Sequence, residues 1–304
     1  MSEGLFQFEE VKQDNQEKQR VIQELIKENH ILSLVQKGII PKEEIQLHPF
    51  KLEKWLHQKK LCDGCKGLST CQQRQKGYVE EVVYDGVLEI ECRPCEYLSK
   101  KIKEEEYLHH YVYNDLPVGL STISFETIQL EEEEAAYVNA VKEALHACEE
   151  EFGRYFYGTM GTGKTYLSIC MLNQFAKQGR KVAFVHCPKF QERLNGTPKW
   201  ESQSFIEPLL MADVVVFDDI GAEEVTDRYR SILLAILDDR NQNHKMTIFT
   251  SNEDHQSLQS HFELGSRNTD LTNAMRIIER IQALSKPVKM ICKDKRILYS
   301  TNNQ

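Results

Sequence analysis

From Phe152 onward, short apolar runs alternate with longer stretches in which apolar residues return every three or four positions. Tyr155–Tyr157, Val182–His186, Val214–Phe217 and Met246–Thr250 have the length and composition of buried strands, and a last strand is expected near Val288–Cys292. Between them, Lys164–Lys177 closed by Gly179, Arg228–Arg240 and a stretch through Arg276 and Arg280 carry the helical period. A helix opening at the acidic run 131–134 and ending near Glu151 leads into the first strand. This alternation predicts an α/β fold: a parallel sheet wrapped by helices, with any ligand at the carboxyl ends of the strands.

The first third reads differently. Val21, Ile22, Leu25, Ile26, Leu32 and Val35 recur at helical spacing among Gln, Glu and Lys, a stripe that either enters a core or docks onto a partner. Pro41 and a second helical stretch at Leu52–Leu56 follow. Tyr78–Val83 and Val87–Ile90 flank Asp85-Gly86 and predict a β-hairpin. Mixed charge, tyrosines and Pro117 between Lys100 and Ser124 suggest a connecting segment. The expected division is a small helical domain over 1–103, a linker over 104–124 and the α/β domain over 125–304.

With 304 residues, 40% hydrophobic and 28% charged, the chain has the composition of an ordinary soluble protein of two domains. No apolar run approaches the roughly 20 residues of a membrane span. Met1-Ser2-Glu3-Gly4 lacks the basic and apolar regions of a secretory signal, so a cytoplasmic protein with no membrane partner is expected. The net charge of −9 means that nucleic acid would have to be met by a local basic patch.

The candidate chemistry lies between the strands. Gly158-Thr159-Met160-Gly161-Thr162-Gly163-Lys164-Thr165 completes G-x-x-x-x-G-K-[ST] between a strand and a helix, the setting in which backbone amides and the helix N-terminus cradle phosphates. Val214–Phe217 ends in Asp218-Asp219. In a P-loop ATPase Asp218 would hold Mg²⁺ with the Thr165 hydroxyl, and Asp219 would orient or deprotonate the attacking water. Without the P-loop, the same residues would read as a core strand capped by two solvated acids. Asn252 closes the strand Met246–Ser251, beside the expected γ-phosphate. Arg276 and Arg280, four apart on one helix face, can reach one anionic site or a neighbouring subunit, or can be surface charges. ATP and Mg²⁺ are the cofactors expected.

Five of the nine cysteines share one segment. Cys62-x-x-Cys65 and Cys92-x-x-Cys95 have the knuckle pattern of a structural Zn²⁺ site, with Cys71 as the substitute ligand; a redox dithiol is the alternative. Cys148, Cys170, Cys187 and Cys292 sit in apolar contexts and are expected to fill core space.

Together, Gly158–Thr165, Val214–Asp219 with Ile220-Gly221-Ala222-Glu223, Thr250-Ser251-Asn252, Met275–Arg280 and the N-terminal cysteines resemble AAA+ ATPases. More narrowly they resemble the DnaI-type primosomal proteins, in the DnaC/DnaI group of replicative-helicase loaders. The resemblance implies a P-loop AAA+ domain without the helical lid, preceded by a zinc-binding domain that grips the hexameric replicative DNA helicase. It also implies ATPase activity coupled to delivery of that helicase onto single-stranded DNA during primosome assembly, with self-association in the complex and contacts to other primosome proteins. Arg276 would act in trans on a neighbour's ATP and Arg280 in cis. Resemblance and local chemistry together suggest Phe190, Arg193, Lys199, Thr226 and Tyr229 as the DNA contact. The family's zinc set can include histidine, whereas none lies between Cys62 and Cys95 here. The alternatives are an IstB-type transposition-helper ATPase and a nucleotide-gated adaptor in which hydrolysis serves only as a timer.

Overall fold

The computed structural model describes residues 15–131, 133–263 and 268–295. The chain divides into two compact units, Met1–Glu104 and Glu105–Gln304. In the first, helices α1 (15–25), α2 (Asn29–Gln36), α3 (Glu44–Leu47) and α4 (Pro49–Lys60) precede the antiparallel hairpin β1 (Tyr78–Tyr84) and β2 (Leu88–Pro94), and α5 (Glu96–Glu104) closes the unit. The helical stripe divides as its spacing demands. Val21, Leu25, Ile31 and Leu34 enter a core with Leu52, Trp55, Leu56, Val82 and Leu88, while Ile26 and Leu32 face outward. The Trp55 indole donates to the Glu80 carbonyl at 2.9 Å, fastening α4 to the hairpin.

The second unit is built on a parallel sheet in the order β3-β5-β6-β7-β4-β8. Its strands are β3 (Tyr111–Asn114), β4 (Gly153–Gly158), β5 (Val182–His186), β6 (Val214–Asp218), β7 (Met246–Ser251) and β8 (Ser285–Met290). Helices α6 (Ala135–Glu150), α7 (Lys164–Lys177), α8 (Cys187–Gly196), α9 (Gln203–Met211), α10 (Asp227–Gln242), α11 (His255–Phe262) and α12 (Asn268–Leu284) cover it. Successive β6 side chains enter different cores. Val215 and Phe217 pack with α10 and α12, and Val214 and Val216 pack with α6 and α7. A strand covered on both faces needs no polar alternation, which is why it reads as a continuous apolar run.

Residues expected in the linker form β3, an edge strand paired with β5. Tyr111-Val112-Tyr113 has β propensity, but four residues between charged and proline-bearing neighbours give a weak signal. Helix α6 begins at Ala135, after the acidic run, so Glu134 is its N-cap. The last strand starts earlier than expected, at Ser285. None of the described helices is long and apolar enough to cross a membrane.

At the amino edge of the sheet, the Arg240 guanidinium is fully buried. It donates to the carbonyls of Leu209, Ala212, Asp213 and Met246 and to the Thr247 hydroxyl, at 2.7–3.3 Å. One side chain thereby joins the ends of α9 and α10 to the first residues of β6 and β7.

Candidate functional site

Parallel strands bring their carboxyl ends to one edge, and four of them meet there: Gly158 of β4, His186 of β5, Asp218 of β6 and Ser251 of β7. Gly158 has φ +134°, and a Cβ on it would lie 2.1 Å from the Met290 carbonyl oxygen, so the turn out of β4 admits only glycine. The chain then loops over Thr159–Gly163 and enters α7 through Gly163, at φ +91°. The amides at this helix start point into a cavity of about 520 Å³. Such a volume suits a small-molecule ligand.

Two chains of hydrogen bonds organise the floor. In the first, Asp218 Oδ1 accepts from the Thr165 hydroxyl at 2.8 Å and from the Thr250 hydroxyl at 2.7 Å. In the second, Lys164 Nζ donates to Asn252 Oδ1 at 3.0 Å, and Asn252 Nδ2 donates to Asp219 Oδ1 at 3.2 Å. Thr250 links the two, because its hydroxyl also accepts the Asp219 amide at 2.9 Å. The register makes this inevitable: Phe217 pairs with Phe249, so the next residues, Asp218 and Thr250, stand side by side. Asp219 has φ +58°, a left-handed conformation that costs a non-glycine residue about 1–2 kcal/mol. Its amide, its carboxylate and the Ile220 amide bonded to the Thr250 carbonyl hold it there.

Burial pushes the Asp218 carboxyl above its ordinary range, the Thr250 and Thr165 hydroxyls pull it back, and the Asp219 charge raises it again. A divalent cation would relieve that burial, and Thr165 and Asp218 are the hard-oxygen pair suited to Mg²⁺. Lys164 is directed by the Gly158 and Thr159 carbonyls, at 3.0 and 2.7 Å, toward the loop that would hold phosphates.

The cavity is also lined by residues that the sequence reading did not assign: Pro117, Leu120, Tyr137, Tyr166, His186 and Lys295. Lys295 follows β8, donates its amide to the Gly161 carbonyl at 2.9 Å, and sets its ammonium over the Tyr137 ring in an ion pair with Glu133. Thr250 is placed beside Asp218 by the register between β6 and β7, and Lys295 by the chain after β8; the sequence holds no local signal for either.

Gly158–Thr165, Asp218, Asp219 and Asn252 are thus brought together. Arg276 and Arg280 are not among the residues lining the cavity. Arg276 is exposed on α12, and Arg280 pairs through Nε with Asp238 of α10. The aromatic DNA contacts are corrected by burial. Phe190 is 1% exposed and packs edge-on against Tyr113, Phe205 and Tyr229, while Tyr229 is fully buried, so neither ring can receive a base. Thr226 caps α10 by accepting the Tyr229 amide. Arg193 is held by the Tyr113 hydroxyl and by Asp115, and Lys199 is exposed.

The cysteine expectation gains no metal geometry. Among the described residues, no three His, Cys, Asp or Glu side chains gather as a metal site. Cys92 stands exposed on β2, opposite Glu80. Cys62 accepts from Gln73 Nε2 at 3.2 Å and Cys71 from the Gly77 amide at 3.3 Å, and the Cys71 thiol is lowered chiefly by the Gly77 and then the Gln73 amide. Cys148, Cys170 and Cys187 are buried in the second unit and Cys292 is half-buried.

Residues 134–296 match the family described as IstB-like ATP binding protein. The chain is 26% identical over 285 residues to the replicative helicase loader DnaI of Bacillus subtilis (strain 168), covering 90% of this chain and 88% of the relative. A crystal structure of DnaI superimposes with TM-score 0.53 at 26% identity, over 58% of this chain and 95% of that one. A putative primosome component from Streptococcus pyogenes serotype M3 superimposes with TM-score 0.52 at 24% identity, over 64% of this chain and 98% of that one, and bears on the fold alone. The likeness to the DnaC/DnaI group read from the sequence is borne out.

Proposed function

Because the chain belongs to the family of IstB-like ATP-binding proteins, we propose that it binds and hydrolyses ATP and uses the nucleotide to load the hexameric replicative helicase onto single-stranded DNA in the cytoplasm. The observation that carries this reading is the extent of the likeness to DnaI, 90% of the chain and so both units, since the ATP-binding region alone is shared with transposition helpers. A transposition helper of the IstB type is the second reading, favoured by the description of the family itself.

In this reading Lys164 and the amides of Gly161–Thr165 would hold the β- and γ-phosphates, and Thr165 and Asp218 would hold Mg²⁺, whose positive charge would be supplied at the phosphoryl oxygens. Asp219, fixed by Thr250 and Asn252, orients the attacking water, and Asn252 keeps Lys164 and Asp219 in one hydrogen-bonded line. Arg276, exposed on α12, is free to reach a neighbouring copy's γ-phosphate in an assembly. Arg280 completes the site in cis only after leaving Asp238. Arg193, Lys199 and Thr226 remain as polar contacts for DNA.

Zinc in the N-terminal unit is the finer part of this reading. It is supported by the paired Cys-x-x-Cys spacing and by the hydrogen-bond donors at the Cys62 and Cys71 sulfurs, which favour Cys71 over the exposed Cys92. Elemental analysis of the purified chain tests it: one zinc per chain supports it, and none removes it.

The function is tested by size-exclusion chromatography with light scattering on the chain mixed with the replicative helicase of the same organism, with and without ATP. A stoichiometric complex that is lost when the N-terminal unit is deleted supports the loader. No complex under any nucleotide condition turns the assignment to the transposition helper.

A further inference from the structure

Among the described residues of the second unit, one aromatic side chain stands exposed: Trp200, at 81%. The aromatics named from the sequence for base stacking, Phe190 and Tyr229, are sealed in the core, so stacking would need another ring. Trp200 lies in the turn between α8 and α9, next to the exposed Lys199.

That turn is held in shape from within. The Glu201 and Ser202 amides donate to the Pro198 carbonyl at 3.1 and 3.2 Å, and the Ser202 hydroxyl donates to the Lys199 carbonyl at 2.8 Å. It is held from outside by Arg228, near the start of α10, whose Nη1 donates to the carbonyls of Leu194 and Thr197. Among the described residues, Arg228 Nε and Nη2 find no hydrogen-bond partner although they are buried. Because α10 follows the loop leaving Asp219, Arg228 fastens the Trp200 turn to the chain that departs from the candidate ATP site.

An exposed indole on a turn offers a flat apolar face on which an unpaired base can stack. With the exposed Lys199 beside it, the ring suits an occupant that is flat, apolar on its faces and anionic along its backbone. We propose that Trp200 is a stacking platform for a base of single-stranded DNA, with Lys199 drawing the adjacent phosphate. Glu201 on the same turn, and Glu192 and Asp227 nearby, keep the patch from being a strong polyanion site, so the contact depends on the base. This rests on the single-stranded DNA partner of the reading above.

The test uses the full chain with magnesium and ATP, alone and with the helicase. It measures tryptophan emission against a 20-residue oligothymidylate and against an abasic oligomer of equal length, and anisotropy of the fluorescein-labelled oligothymidylate. Trp55 is 3% exposed in the other unit, so a Trp200→Phe variant supplies the background emission. Expected are quenching by the oligothymidylate and none by the abasic strand. Trp200→Ala should bind the oligothymidylate about 5- to 150-fold more weakly with an unchanged melting temperature. Lys199→Ala should shallow the slope of log affinity against log salt by about 0.7.

If the oligothymidylate binds wild type and Trp200→Ala equally, or binds without quenching, this inference falls and the loader reading stands. If no oligonucleotide binds with or without the helicase, both the inference and the DNA part of the reading fall. Loss of helicase binding in Trp200→Ala with DNA binding intact would make the ring a protein contact and overturn the proposal.

Discussion

Thr250→Val is the sharpest probe of how the site is held. The replacement keeps the β-branched shape inside β7 and removes one hydroxyl that serves two partners. Asp218 loses one of its two hydroxyl donors, a bond to a charged group worth about 1.5–3 kcal/mol, and the Asp219 amide loses its acceptor, at a further cost of about 1–3 kcal/mol. Allowing for overlap between them, about 2–5 kcal/mol of stability should be lost. For a unit of this size that is a fall in melting temperature of about 4–20 °C. The cost has a pH signature. Burial holds the Asp218 carboxyl above its ordinary 3.8, so its ionisation opposes folding at neutral pH. That opposition disappears as pH falls through the folded-state value toward 3.8. Removing Thr250, which pulls the value down, enlarges the opposition, so the deficit of the variant against wild type should shrink on acidification across that window. Hydrolysis should fall about 100-fold, because a displaced Asp219 no longer aims the water, and Thr250→Ser should restore most of it. Differential scanning calorimetry from pH 4.5 to 7.5 and a phosphate-release assay read these outcomes. A Thr250→Val variant that melts within about 1 °C of wild type and hydrolyses ATP at the same rate would refute the reasoning.

Other variants separate the roles of neighbouring groups. Lys164→Ala should remove the upward melting shift that ATP gives the wild type, which at a hundredfold excess over Kd is about 2.7 kcal/mol, or roughly 5–11 °C; an undiminished shift would place nucleotide elsewhere. Arg276→Ala, altering an exposed residue, should leave melting and nucleotide binding within error and abolish only the hydrolysis that appears on assembly, so an equal loss in dilute monomer would count against action in trans. Arg240→Met should cost about 3–5 kcal/mol by orphaning buried acceptors, measured by urea denaturation.

How far the sequence could be read depended on whether a feature is local. The P-loop and Val214–Asp219 are contiguous, and a strand buried on both faces announces itself by composition, so both were legible along with the fold class. Thr250 beside Asp218 depends on the register between strands distant in sequence, which no local spacing encodes. Phe190 and Tyr229 had the chemistry of a stacking site, and only packing against Tyr113 and Phe205 shows that they are core. Spacing puts Arg276 and Arg280 on one helix face, but helical periodicity does not say that Asp238 waits opposite Arg280. The cysteine pairs read as a ready ligand set because spacing says nothing of distance in space: Cys92 shares the face of β2 with Leu88 and Ile90 but lies exposed near the strand's end, and no metal cluster forms among the described residues.

The Arg240 guanidinium at the amino edge of the sheet has a dynamic consequence. Arg240 clamps the beginnings of β6 and β7 to the helices around them, whereas at their far ends the same strands run into Asp218–Gly221 and Ser251–Glu253, where hydrogen bonds run largely between side chains and loop. Amide hydrogen exchange should therefore follow a gradient along each strand, slowest at Val214–Val216 and Met246–Ile248 and fastest beyond Asp218 and Ser251. Nucleotide entering at the loose end would move loops against a fixed base, as a reed bends from its clamped foot, so the response would reach α10 and α11 without loosening the core.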